Sequence, residues 1–149
     1  MRPGPVGGQK NECIGRSKGG LSTKIHALCD ALGNPLGFHL TPGQACDLDG
    51  ADHLIGQIRA DTVLADRGYD ADARVIEPLL RAGKQVVIPP KSNRKSRRSY
   101  DKALYQARHL IENLFEKLKH YRAIATRYDK TAIAFLGAIH LAASVVWLN

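Results

Sequence analysis

Tyr105, Arg108, Glu112 and Lys119 follow one another at intervals of three, four and seven residues. On a helix turning about 100° per residue, all four fall within roughly 60° of each other. Their types suit chemistry on an anion. A carboxylate can hold a hard cation, and an arginine, a lysine and a phenol beside it can contact phosphate oxygens. The same intervals also suit a surface ladder of i,i+4 ion pairs, each worth about 0.2–0.5 kcal/mol, so spacing alone leaves both readings open. Asp66 is the second candidate. It follows the apolar run Thr62-Val63-Leu64-Ala65 and precedes Gly68, which puts a carboxylate at the C-terminal end of a buried strand, where α/β sheets gather ligands. A turn-forming aspartate at a strand end is the plainer alternative. Should Asp66 and Glu112 converge, two oxygen donors could hold Mg²⁺, which takes carboxylates, waters and substrate phosphates, and phosphodiester chemistry would follow.

These residues need elements to position them. The spacing predicts one helix over 102–120, in which Leu104, Ala107, Leu110, Ile111, Leu114, Phe115 and Leu118 make an apolar stripe. Tyr105, Arg108, Glu112 and Lys119 lie along its edge, at the boundary between core and solvent. Upstream, Thr23, Ile25, Ala27 and Cys29 alternate with polar or outward positions, and the alternation predicts a strand. Gly33-Asn34-Pro35 marks a turn, and residues 36–41 form the returning strand. A short helix is expected over 50–58, capped by Asp47 or Asp49. A second is expected over 71–81, capped by Asp70 and bent or divided at Pro78. Gln85-Val86-Val87-Ile88 reads as a buried strand stopped by Pro89-Pro90. Residues 1–20, rich in glycine, proline and cations, read as a flexible basic arm. The alternation of strands and helices is an α/β layout.

Composition narrows the function. The chain has 149 residues, 44% of them hydrophobic, enough for one folded domain and too many for a charge-expanded disordered chain. Twenty-two Lys and Arg against 14 Asp and Glu give a net charge of +8, which favours a polyanionic partner. Three isolated cysteines, Cys13, Cys29 and Cys46, argue against a disulfide framework or a structural zinc site. The six histidines show no metal-ligand spacing. Residues 132–148 are almost wholly apolar but include His140, and they read as a helix buried in the domain, with Phe135, Leu136 and Trp147 in its core, rather than as a membrane span. The densest cationic run is Lys91, Arg94, Lys95, Arg97 and Arg98, uninterrupted by any acid, and it is read as a phosphate-contacting loop. Arg122 and Arg127, set among Tyr121 and Tyr128, are further DNA-contact candidates.

Taken together, Tyr105-x2-Arg108-x3-Glu112-x6-Lys119 resembles the Y-R-E-K pattern of DDE-type bacterial insertion-sequence transposases, in particular their insertion-sequence-five-like branch. Gly15-Arg16-Ser17-Lys18-Gly19-Gly20, Thr23-Lys24-Ile25-His26, Leu64 to Tyr69, and Tyr121-Arg122 through Thr126-Arg127-Tyr128 resemble the same branch. The resemblance implies a ribonuclease H-like mixed sheet with flanking helices, and metal-dependent cleavage and strand transfer at transposon ends. Asp66 then corresponds to the second acid and Glu112 to the third of a set that holds two Mg²⁺ ions. Arg108 and Lys119 bind phosphate or flank the metals, and Tyr105 orients the DNA or the glutamate. The implied partner is DNA, at transposon ends and target, in the cytoplasm and nucleoid of a bacterium, without a membrane.

The pattern departs at one point. The strand that carries the family's first aspartate precedes the Gly-Arg-Ser-x-Gly-Gly stretch, and residues 1–13 offer only Glu12 and no strand pattern. The expectation is a flexible tail over 1–13 and a partial ribonuclease H-like transposase domain over 14–149, lacking its first strand. Such a chain is expected to be inactive alone, and to need either an upstream transposase portion or a homo-oligomer. The alternative is a non-catalytic DNA-binding remnant or a regulator of a full-length transposase.

Overall fold

The structure is a computed structural model that describes residues 12–17, 20–127 and 131–148. Three antiparallel strands open it, β1 (Gly15–Ser17), β2 (Gly20–Cys29) and β3 (Pro35–Pro42), in the order β1-β2-β3. The β2–β3 hairpin turns where the Asp30 carboxylate accepts the Leu32 and Asn34 N–H groups, each at 2.9 Å, and where Gly33 takes φ of 85°, open to glycine without strain. The pairing runs Lys24↔Thr41, Ile25↔Leu40 and His26↔His39. The basic arm expected over 1–20 is in part a strand, since Arg16 pairs with Leu21. Hydrogen bonding to β2 outweighs the flexibility of its glycines. Residues 1–11 and 18–19, the rest of that arm, lie outside the described residues.

Helix α1 (Asp47–Leu54) starts at Asp47 instead of being capped by it. Asp47 and Asp49 occupy its first turn, where their charge complements the helix dipole. Gly50 in mid-helix has a packing reason: a Cβ there would stand 2.2 Å from Cγ of the buried His26. Strand β4 (Thr62–Leu64) pairs in parallel with β5 (Gln85–Val87). Parallel strands need a crossover, supplied by a π-helical turn over Asp72–Ile76 that runs into α2 (Glu77–Arg81). Pro78 does divide this segment: α2 begins beside it, where a missing N–H costs no helical hydrogen bond. Asp70 is not the cap expected of it, because Ala71 precedes the turn and the Asp70 side chain is buried elsewhere.

The long helix is interrupted. Asp101 caps α3 (Lys102–Tyr105) by accepting the Leu104 N–H at 3.0 Å, Gln106–Arg108 tighten into a 3₁₀ turn, and α4 (His109–Lys119) continues. A short α5 (Arg122–Ala125) and the long α6 (Ala132–Leu148) follow. Two cores result. Leu40, Leu114, Leu118, Phe135 and Ile139 pack the antiparallel sheet against α4 and α6, while Val75, Ile76, Leu79 and Ile88 pack the parallel pair against α1 and α2. Helix α6 buries one face only. Phe135 is in the core, but Trp147 is 49% exposed and Ile133, Leu141 and Leu148 more so, which corrects the expectation of an all-round buried helix with Trp147 inside. Among the described residues no helix is long and apolar enough to cross a membrane.

Candidate active site

The parallel crossover places Asp66 just beyond the end of β4, and the boundary row of the long helix meets it there. Tyr105 Oη donates to Asp66 Oδ1 at 3.2 Å, long for a hydroxyl-to-carboxylate bond. Arg108 Nε lies 3.4 Å from the same Oδ1, near enough for an ion pair but without a hydrogen bond. The Arg108 Nη2 group donates to Glu112 Oε1. One guanidinium thus joins the two candidate acids, and it also sits 5.6 Å above the Tyr105 ring, in cation–π range. The 3₁₀ turn carries Arg108 itself, which is the residue that bridges α4 and the β4 end.

Exposure shows what this cluster can do. The Asp66 and Glu112 side chains are 55% and 54% exposed, and Arg108 is 39% exposed. Solvent screens ion pairs of this kind to about 0–1 kcal/mol, so the cluster contributes little stability and remains open to a ligand. Although partial burial disfavours its charge, Asp66, Tyr105 and Glu112 together raise the Arg108 pKa, and it stays protonated. Burial first, and then Asp66, raises the Tyr105 phenol, which stays a neutral donor. The donor set fits one hard cation held by two carboxylates with phosphate and water oxygens. Among the described residues no group of three His, Cys, Asp or Glu is placed to hold a metal ion.

A cleft of about 390 Å³ opens beside the two acids. Residues 24–28 of β2 all line it; five consecutive residues mean that the strand's edge, rather than one pleated face, borders the cleft. Val63, Ala65 and Asp66 face it from β4, and Ile111, Glu112 and Phe115 from α4. From Thr23 to Cys29 the β2 edge away from β3 has no paired strand among the described residues. At the cleft's rim, buried His26 bridges Thr41 Oγ1 at 2.7 Å and Tyr69 Oη at 3.2 Å. Burial lowers the His26 pKa despite the opposing pull of Asp47. Burial foremost, with Asp47 and Asp66, pushes the Tyr69 phenol up to about 12.

The other sequence candidates separate. Lys119 pairs with Glu116 at 3.6 Å, and no described contact joins it to Asp66 or Glu112. Arg127 donates to Thr23 Oγ1 at 2.7 Å and stacks 5.0 Å over Phe135, so packing engages it, while Arg122 lies exposed on α5. The cationic run divides. Arg98 donates to Asp70 Oδ1 at 2.8 Å and to Ile88 O at 2.7 Å, and Arg94 lies 3.6 Å from Asp70 and also binds Asp72. Burial would raise the Asp70 pKa, but the Lys91 N–H, Arg98 and Arg94 outweigh it and hold the carboxyl low. This buried cluster escaped sequence reading, because Arg67 and Arg74 stand nearer to Asp70 in the chain than the arginines that fold onto it. Lys91, Lys95 and Arg97 make no side-chain hydrogen bond or ion pair among the described residues.

A profile described as a transposase DDE domain matches residues 3–147. The chain belongs to that family. It is also 42% identical over 132 residues to a Brucella ovis protein named as a candidate transposase for insertion sequence element IS6501, an alignment that covers 87% of this chain and all of that protein. No solved structure matches. The family assignment agrees with the resemblance drawn from the Tyr105–Lys119 pattern, and the described elements are mixed α/β, as expected.

Proposed function

We propose that this DDE transposase-family chain carries the second and third acids, Asp66 and Glu112, of a metal-dependent DNA cleavage and strand-transfer site, on a ribonuclease H-like sheet whose β2 edge is unpaired from Thr23 to Cys29 among the described residues. The observation that carries this reading is the single guanidinium of Arg108 set against both carboxylates, which lie 46 positions apart in the chain and meet it only through folding. An ion-pair ladder confined to the helix would not reach Asp66.

Asp66 and Glu112 would hold Mg²⁺ together with oxygens of a transposon-end phosphate, and Arg108 is placed to neutralise that phosphate when it enters. When bound, the metal polarises the phosphodiester and lowers the pKa of an attacking water or 3′-hydroxyl. Tyr105 keeps the Asp66 carboxylate oriented, and Lys119, exposed beside Glu116, is left to the DNA backbone. A second Mg²⁺ asks for a further carboxylate. The β2 edge along the cleft, unpaired from Thr23 to Cys29 among the described residues, supports a strand entering between β2 and β4 and carrying that acid, supplied by an upstream transposase portion.

The test mixes the chain with a separate upstream polypeptide, Mg²⁺ and transposon-end DNA. Cleavage is expected from the mixture alone and is lost with Asp66→Asn or Glu112→Gln. Nicking by the isolated chain would contradict the need for completion. Silence of the mixture would leave the second reading, a DNA-binding remnant or regulator.

A further inference from the structure

Beyond the two acids, the cationic run builds a second concavity. A recess of about 620 Å³ is lined by Pro89, Pro90, Ser92, Ser99, Tyr100 and six cations, with no carboxylate among its lining residues. Two of those cations, Arg94 and Arg98, are held by Asp70 and Asp72 and shape the wall. The other four, Arg67, Lys91, Arg97 and Lys102, have no ion-pair partner among the described residues. Uncompensated cations around a concave surface attract a polyanion. Tyr100 adds a half-buried aromatic ring, set edge-on to Tyr105 at 5.7 Å between centroids.

The recess does not stand alone. Arg67, Pro89 and Tyr100 also line a neighbouring concavity of about 380 Å³ that contains Asp66, Tyr105 and Arg108. The track therefore leads from the acid site, past Arg67 and Tyr100, into the cationic recess. A pocket of this size with an aromatic wall suits nucleotides of one strand, not a duplex; base stacking on an aromatic ring combined with cations along the backbone is how single strands are held.

We propose that this recess binds unpaired nucleotides flanking the phosphodiester placed at Asp66 and Glu112, with phosphates against Arg67, Lys91, Arg97 and Lys102 and a base against Tyr100. The proposal rests on the reading of Asp66 and Glu112 as a DNA-cleaving site, but it is tested without cleavage. The measurement is fluorescence anisotropy of the full chain in EDTA with a single-stranded oligonucleotide, and with a duplex of the same sequence, across a salt series.

Arg67→Gln with Lys102→Gln is expected to weaken single-strand binding at least tenfold and to flatten the slope of log K against log salt by about 0.7 per contact removed. Tyr100→Leu is expected to weaken single-strand binding about tenfold while leaving the slope unchanged, and Tyr100→Trp is expected to restore it. Arg67 and Lys102 are surface residues, so thermal melting of the double variant should match wild type. The proposal is overturned if these variants bind single strands as wild type does, if they lose duplex binding equally, or if Tyr100→Trp behaves as Tyr100→Leu. Wild-type DNA binding that ignores the recess variants would leave the Asp66–Glu112 reading standing, whereas no DNA binding at low salt would remove both.

Discussion

Asp66 and Asp70 lie four residues apart, each is met by arginine from a distant segment, and the two clusters differ in almost everything else. Asp70 is 1% exposed, with Arg94 and Arg98 at 16% and 20%. It receives a backbone N–H at 2.7 Å, a guanidinium at 2.8 Å and a second at 3.6 Å. Asp66 is 55% exposed and touches Tyr105 and Arg108 at 3.2 and 3.4 Å. One carboxylate is satisfied and locked; the other is half in water with room for further partners. Residue type cannot tell them apart, because an aspartate paired with arginine describes both. Burial and completeness of partnering make one a girder of the 70–98 region and the other a candidate ligand.

The largest expected effect is on the locked side. Asp70→Ala leaves two arginines partly buried without their acid and should cost about 3–5 kcal/mol, the usual loss when one partner of a buried pair is removed, read as a fall in the denaturation midpoint. If desolvated charge is the cause, removing the charges together by Asp70→Leu, Arg94→Met and Arg98→Met should recover most of that loss. A triple variant as unstable as Asp70→Ala would mean that packing geometry, not charge, sets the cost.

Next in size is the acid limb of stability. The folded-state pKa of Asp70 is held below its unfolded value of about 3.9. Its contribution is therefore complete above that unfolded value and disappears as pH falls through the lower folded value. The stability gap between wild type and Asp70→Asn should be constant near neutrality and close below about pH 4. His26 gives a separate limb. Its folded pKa is lowered by burial, so stability is full above the unfolded value of about 6.5 and declines as pH falls from there toward the folded value. In a His26→Gln variant the decline between pH 6.5 and 5 should flatten.

The smallest stability effects belong to the open cluster. Arg108→Ala and Asp66→Asn should each change stability by less than about 1 kcal/mol, as screened surface pairs do. Arg108→Gln should tighten divalent-cation binding, because it frees both carboxylates, while weakening DNA binding. A loss of several kcal/mol from Arg108→Ala would erase the distinction between the clusters.

Much of this was legible before the fold was known. Alternation at Thr23 to Cys29 located β2, the apolar run at 62–65 located β4, and helical spacing located the boundary row of Tyr105, Arg108 and Glu112. Local chemistry determines those features. Tertiary choices were hidden. Asp70 reads as a helix cap, yet folding sends its side chain to Lys91, Arg94 and Arg98, contacts more than twenty residues away that no periodicity marks. For the same reason the run 91–98 reads as one phosphate-contacting loop when two of its arginines are structural. The hydrophobicity of α6 implied burial all round, but a helix packed against one sheet can hide only one face, and Trp147 and Leu148 fall on the other.

If Asp66 and Glu112 form one cation-binding site, a paramagnetic ion must find both of them. A Mn²⁺ titration followed by amide resonances of the isotopically labelled chain tests it most directly. Paramagnetic broadening should centre on residues 65–69 and 108–113, be reversed by excess Mg²⁺, and vanish in both Asp66→Asn and Glu112→Gln. Broadening centred elsewhere, such as at the Asp47, Asp49 and Asp52 turns of α1, or broadening that survives both substitutions, would contradict it.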